Sequence, residues 1–193
     1  MGQRNPRLNP VVDDGAVLTT LISHAVPSQD MSESPGGETP PNVNAADGWQ
    51  NVIKEMEATA ESYRNRGWTT VELHPGDSVF VDSAERLGLD VVLAGDEYET
   101  LEATVAAHEF TDVEVFRAVR EGMVYLLIAE RAPEAQTVIF VPAYYSLQGT
   151  NTTRETIRDE DELTLFCRRL TDSYVLFSHT EVDPFLPATD ADT

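Results

Sequence analysis

The sequence predicts an α+β fold: a single domain with a mainly antiparallel sheet, built on a central three-stranded meander and packed by two or three helices. Three observations predict it. Between Asp112 and Leu147 the apolar residues fall into three runs, VEVFRAV, MVYLLIAE and TVIFVPAYYSL, joined by connectors so short that consecutive strands must lie antiparallel. From Asp47 onward, Trp49, Val52, Ile53, Met56, Ala60 and Tyr63 recur at three- and four-residue spacing, the stripe of an amphipathic helix. The patterned part, roughly 140 residues without an internal repeat, is long enough to bury one self-sufficient core.

Residues 1–46 carry clusters of Asn, Pro, Gly and Ser, as in MSESPGGETPPNVN, and no apolar period, so they are expected to form a disordered N-terminal arm that packs against nothing. Two readings of the arm stand. Met31 opens a polar, acidic stretch suited to a start of translation; alternatively the whole arm is a genuine extension. The domain proper is expected over 47–182. Its first helix has Asp47 and Gln50 spaced as a capping box and Gly67 as a left-handed terminator. WTTVEL, residues 68–73, reads as a strand, turned by His74-Pro75-Gly76-Asp77 into a shorter strand at Val79–Val81. LDVVLAG gives a third strand, after which Asp96 is placed to cap a helix with Tyr98, Leu101 and Val105 inward.

The meander follows, with turns at Arg120-Glu121-Gly122 and at 131–135. VYLLIA and VIFV are continuously apolar, which predicts VYLLIA as the central strand and cover on both faces, one side by helices and the other by helix, loop or a second subunit. Pro142, lacking an N–H, belongs at an edge, bulge or strand end. Residues 148–160 read as a polar loop. A last helix is expected to carry Leu163, Phe166, Cys167 and Leu170 on one stripe, followed by the strand YVLFSHT and a C-terminal tail over 183–193.

Charge limits the environment and the partners. Thirty-four acidic residues face thirteen basic ones, Lys54 being the only lysine, for a formal charge of −21. Such a surface suits molar salt, where the Debye length falls to about 3 Å and like charges stop repelling strongly. The twelve arginines are spread singly apart from the Arg168-Arg169 pair, so no basic face is available for nucleic acid. No run reaches the roughly 18 apolar residues of a membrane span, and no signal layout appears, which points to the cytoplasm. Cys167 is the only cysteine; it excludes an intramolecular disulfide and, in its apolar setting, reads as a core thiol rather than a nucleophile.

RGWTTVELHPGD, AGDEYETLEATVAAHEFTDVEVFRA, GMVYLLIAER with TVIFVPAYY, and FSHTEVDPFLP together resemble a family of small uncharacterised haloarchaeal proteins of unknown function, over roughly residues 48–187. The resemblance implies a halophilic origin and a small cytoplasmic domain. It brings no activity, cofactor or catalytic residue.

Phosphate-loop, dinucleotide, nucleophile-elbow and zinc-helix signatures are all missing, so no cofactor is expected. Candidate chemistry rests on His74 with Asp77, His108 with Glu109, and His179, since imidazole and carboxylate together bind divalent metals or exchange protons near neutral pH. Each also has a local explanation. His-Pro-Gly-Asp suits a type II turn, His108 a helix end and His179 an ordinary strand position. Tyr144, Tyr145 and Ser146 at a strand end are candidates to orient a ligand through their hydroxyls, though aromatic strand residues more often pack. Two functions follow: a non-enzymatic interaction or regulatory module, whose partner is an unknown protein or a second copy of the chain, and a small metal- or acid–base-dependent enzyme using these histidines. Convergence of the histidines in one concave pocket favours the enzyme, and dispersal favours the module.

The charge generates a first prediction. A −21 chain loses its self-repulsion only when screened, so circular dichroism across a potassium chloride titration should show cooperative melting strengthening toward molar salt. Equal stability at about 0.1 M salt would refute the salt dependence.

Overall fold

In the computed structural model, which describes residues 9–11, 17–22, 43–170 and 173–188, the chain forms two sheets, three α-helices and two short 3₁₀ turns among the described residues. The α+β class and the central meander are as the sequence indicates. The meander consists of β6 (Asp112–Arg120), β7 (Met123–Ala132) and β8 (Thr137–Ser146), with β7 in the middle. Its first turn places Glu121 and Gly122 both at positive φ, 51° and 79°, the twist that a two-residue hairpin needs and that glycine accepts without strain. β3 (Thr69–Glu72) adds to β8 in parallel.

The second sheet was not expected. It consists of β4 (Asp77–Asp82), β5 (Leu87–Val92), β9 (Leu163–Arg168) and β10 (Tyr174–His179), in the order β10-β9-β5-β4, with β5 and β9 parallel and the other pairs antiparallel. His74 to Asp77 therefore do not close a hairpin: the chain leaves one sheet at β3 and enters the other at β4. Gly76 is not among the residues with positive φ, so the type II turn is not formed. β9 replaces the expected last helix. Leu163, Leu165 and Cys167 alternate as well as Leu163, Phe166, Cys167 and Leu170 follow a helical stripe, and strand partners on both sides decide for alternation; Leu170 is 87% exposed.

Two short strands come from the segment expected to pack against nothing. β1 (Asn9–Val11) pairs with β6 and β2 (Val17–Ile22) with β10, each extending a sheet by one antiparallel edge strand. Edge pairing needs only backbone groups, which explains why no amphipathic stripe announces it. Residues 43–46 of the arm open the first helix, while Met31 and the other arm residues outside β1 and β2 lie, like residues 189–193, outside the described residues.

Both faces of the meander are covered, as expected, but the second cover is a sheet rather than the expected helix, loop or second subunit. Helix α1 (Val43–Asn65) begins a turn before Asp47, which therefore sits inside the helix rather than capping it, and ends just before Gly67 at φ 86°. Its Val52, Met56, Ala60 and Tyr63 pack on Tyr125, Leu127, Ala129, Val138 and Phe140 of the meander. The alternate residues Leu126, Ile128, Ile139 and Val141 face the second sheet, joining Leu89, Val91, Leu165, Cys167 and Phe177 in the larger core. Helix α2 (Gly95–Ala107) adds Tyr98, Leu101 and Val105 to that core; Ala94, not Asp96, stands at its N-cap. Helix α3 (Asn151–Glu160) occupies the expected polar loop. Ile157 is its only buried residue, too little for an apolar period to show.

Pro142 sits where β8 has run past its neighbour. The Phe140 carbonyl accepts from the Leu73 N–H on the β3 side, so Pro142, two residues on, turns its nitrogen to the same side beyond the end of β3. Two residues further, Ser78 of β4 completes the edge, its Oγ accepting from the Tyr144 N–H at 2.9 Å and donating to the Tyr144 carbonyl at 2.6 Å. One side chain thus ties the two sheets at a corner. The expected tail also packs: the 3₁₀ turn Asp183–Phe185 buries Phe185 completely and Leu186 nearly so.

Leu127 is fully buried against α1 at the centre of the meander. Leu127→Ala is expected to cost about 2–5 kcal/mol, read as a shift in the urea midpoint in high salt, whereas the same truncation at the exposed Leu170 should change little.

Candidate functional site

The fold holds the candidate histidines apart. His74 is exposed at the end of β3, and both its backbone N–H and its Nδ1 meet the carboxylate of Glu97, at 3.1 and 3.0 Å, in the first turn of α2. His108 is exposed at the C-cap of the same helix, with Glu109 exposed beside it. Eleven residues of helix separate Glu97 from His108, about 16 Å at 1.5 Å per residue, so the two imidazoles stand at opposite ends of α2. Asp77 is exposed and spends Oδ1 on the Ser78 N–H at 2.8 Å. Among the described residues no group of three or more His, Cys, Asp or Glu side chains could hold a metal ion.

His179 is placed differently from an ordinary strand position. It ends β10 with its side chain between the sheets, 1% exposed, and the fully buried Glu130 of β7 reaches it from the opposite layer. His179 Nε2 lies 3.1 Å from Glu130 Oε1, close enough for an ion pair yet not aligned as a hydrogen bond; among the described residues neither carboxylate oxygen nor either ring nitrogen has a hydrogen-bond partner. The Phe185 ring covers the imidazole at 4.7 Å between centroids. Nearby, burial drives the Cys167 thiol well above its ordinary range, and the charges of Glu130 and Asp90 push it the same way. A thiol so placed is a packed core group, poor as a nucleophile. Sequence reasoning missed Glu130 because it lies at the end of an apolar strand, where a charged residue reads as the point at which the strand leaves the core.

Among the described residues Asp90 is the other buried acid. Arg168 Nε donates to it at 2.7 Å and Arg86 Nη1 at 3.2 Å, so its charge is met by two guanidiniums and serves the β5–β9 pairing.

His108, without His74 or His179, lines an open hollow of about 720 Å³ along α2, and a second concave feature lies where no histidine touches it. Arg154 and Arg158, one turn apart on α3, line a cleft of about 460 Å³ with Val119, Leu147, Glu155 and Pro187. Arg158 Nη2 donates to the Pro187 carbonyl at 2.5 Å, and Arg154 to Asn151 Oδ1. Arg117 of β6 gathers the carbonyls of Asp183, at 2.6 Å, Pro184, at 2.9 Å, and Leu186 on one nitrogen. The Tyr145 hydroxyl donates to the Phe185 carbonyl at 2.9 Å; burial raises its pKa, and the positive charges of Arg154, Arg117 and Arg158 oppose that rise. Tyr145 is thus a packing residue, and Tyr144 meets α1 through Trp49, whose ring lies 5.5 Å away.

With this geometry in place, a family of unknown function (DUF7529) matches residues 38–187. The chain belongs to that family. Comparison with curated proteins and with solved structures returns no match. The DUF7529 match takes in β3 to β10, the Glu130–His179 pair and the cleft arginines Arg154 and Arg158, while β1 and β2 precede it. No helix among its described residues is long and apolar enough to cross a membrane.

The buried pair generates a stability prediction. Removing one member strands the other in the core, so Glu130→Ala and His179→Ala should each cost about 3–5 kcal/mol, whereas the joint replacement Glu130→Met with His179→Leu should recover most of that loss. Urea denaturation of all three variants in high salt measures it; a double variant as unstable as the sum of the singles would mean that the two groups do not act as a pair.

Proposed function

We propose that this DUF7529 domain is a non-enzymatic interaction or regulatory module of a salt-adapted, haloarchaeal cytoplasm, acting through a protein partner or a second copy of itself. The observation that carries the reading is the dispersal of the acid–base groups. His74 and His108 stand at opposite ends of α2, and His179 is sealed between the sheets with Glu130. An acid–base or metal site needs such groups within a few ångströms of one substrate position, with solvent access for the substrate. The charge of −21 supports the salt-adapted setting and argues against nucleic acid as the partner.

The competing reading, a metal- or acid–base-dependent enzyme built on His74, Asp77, His108 and His179, is tested directly by elemental analysis. Untagged protein purified in molar potassium chloride should carry no stoichiometric zinc, manganese, iron or nickel. Near-stoichiometric metal that is lost in His74→Ala would overturn the module in favour of the enzyme.

A further inference from the structure

We infer that the cleft between α3 and residues 187–188 is a binding site for a small organic anion, a carboxylate or a phosphate, held by Arg154 and Arg158. The inference deepens the module reading by naming a ligand class, and it rests on that reading only in requiring binding without turnover.

The first support is where the positive charge goes. A chain with thirty-four acidic residues and twelve arginines can pair every guanidinium with a carboxylate several times over, and Arg64, Arg86, Arg120, Arg131 and Arg168 are so paired. Among the described residues Arg66, Arg117, Arg154, Arg158 and Arg169 form no ion pair, and of these Arg117, Arg154 and Arg158 are near enough to one another to act together on the Tyr145 hydroxyl. Their hydrogen bonds go to neutral oxygens, three carbonyls for Arg117, one for Arg158 and an amide oxygen for Arg154. Neutral acceptors orient a guanidinium without cancelling its charge. Glu155 stands on the cleft wall, Asp161, Glu181 and Asp183 line a neighbouring hollow together with Arg158, and Asp183 also acts on Arg117 from a distance.

The second support is shape. The cleft falls within the size range of small-molecule sites, about 300–1,000 Å³, and its walls are divided: two arginines on α3 face Val119, Leu147 and Pro187. Among the described residues Arg154 Nε has no hydrogen-bond partner, so the guanidinium's donors are not all used. A guanidinium presents five N–H groups in a planar fork that matches carboxylate or phosphate oxygens, and the contacts already made occupy one terminal nitrogen each of Arg154 and Arg158. The ligand's charged end pairs with the free donors while its carbon skeleton lies on the apolar wall.

The test uses the full chain, labelled with nitrogen-15 and titrated separately with inorganic phosphate and with succinate at constant ionic strength, so that general screening of the acidic surface does not contribute. Saturable movement of the Arg154 and Arg158 Nε–Hε resonances is expected with at least one probe, and the responding probe tells a phosphate ligand from a carboxylate. Arg154→Gln, which leaves the Arg158 contact to Pro187 in place, should weaken binding about tenfold or more, the loss of one charge-assisted pair, while Arg66→Gln on the far side of the fold should change nothing. No saturable movement with either probe, or unchanged affinity in Arg154→Gln, would overturn the inference. Either failure leaves the module reading standing, because that reading falls only on bound metal.

Discussion

Burial of both faces of β7 is the constraint on which the molecule depends. Tyr125, Leu127 and Ala129 face α1, while Leu126, Ile128 and Glu130 face the second sheet, so one strand is the floor of one core and the roof of another. Every polar side chain on that strand must then find its partner inside the protein. Arg131 does so at the margin, with Asp112 at 2.6 Å and the Tyr63 hydroxyl at 3.3 Å; Glu130 does so in the interior, with His179. A buried pair of this kind carries a cost of desolvation that its mutual attraction offsets only in part.

The same geometry decides where function can reside. Phe185 seals the buried Glu130–His179 pair, and the cleft proposed for an anion lies at the rim, where α3 and the C-terminal segment meet. That rim is where arginines are concentrated. Arg117 and Arg158 hold residues 183–187 by their carbonyls, which is how a stretch with no periodic pattern comes to bury Phe185 and Leu186.

The sequence was most legible where apolar period and chain length agreed. The stripe from Val52 to Tyr63, the three runs between Asp112 and Leu147, and Tyr98, Leu101 and Val105 all landed in the elements they indicate. It was least legible where two periods fit equally, as in LTLFCR, or where an element is held by something other than its own apolar face. α3 contributes one buried side chain, and β1 and β2 pair through the backbone. The missing second sheet is one error rather than several: with β9 read as a helix, β5 and β10 had no common neighbour. For the sites, His74 and His108 were visible by residue type, but only the fold shows that α2 spaces them apart. The cleft was hidden because Arg117, Arg154 and Arg158 are far apart in sequence or lie in a segment that reads as loop.

The parallel pairing of β5 with β9 has a consequence for how the chain is made. About seventy residues separate these partners, and the whole meander lies between them. During synthesis β4 and β5 leave the ribosome early, with Leu89 and Val91 destined for the core, and wait until β9 and β10 emerge to cover that face. The meander needs no such delay, since its strands are neighbours in sequence and its contacts are local. Assembly is therefore sequential, with a half-built sheet exposed in the interval until the last strands arrive to cover it.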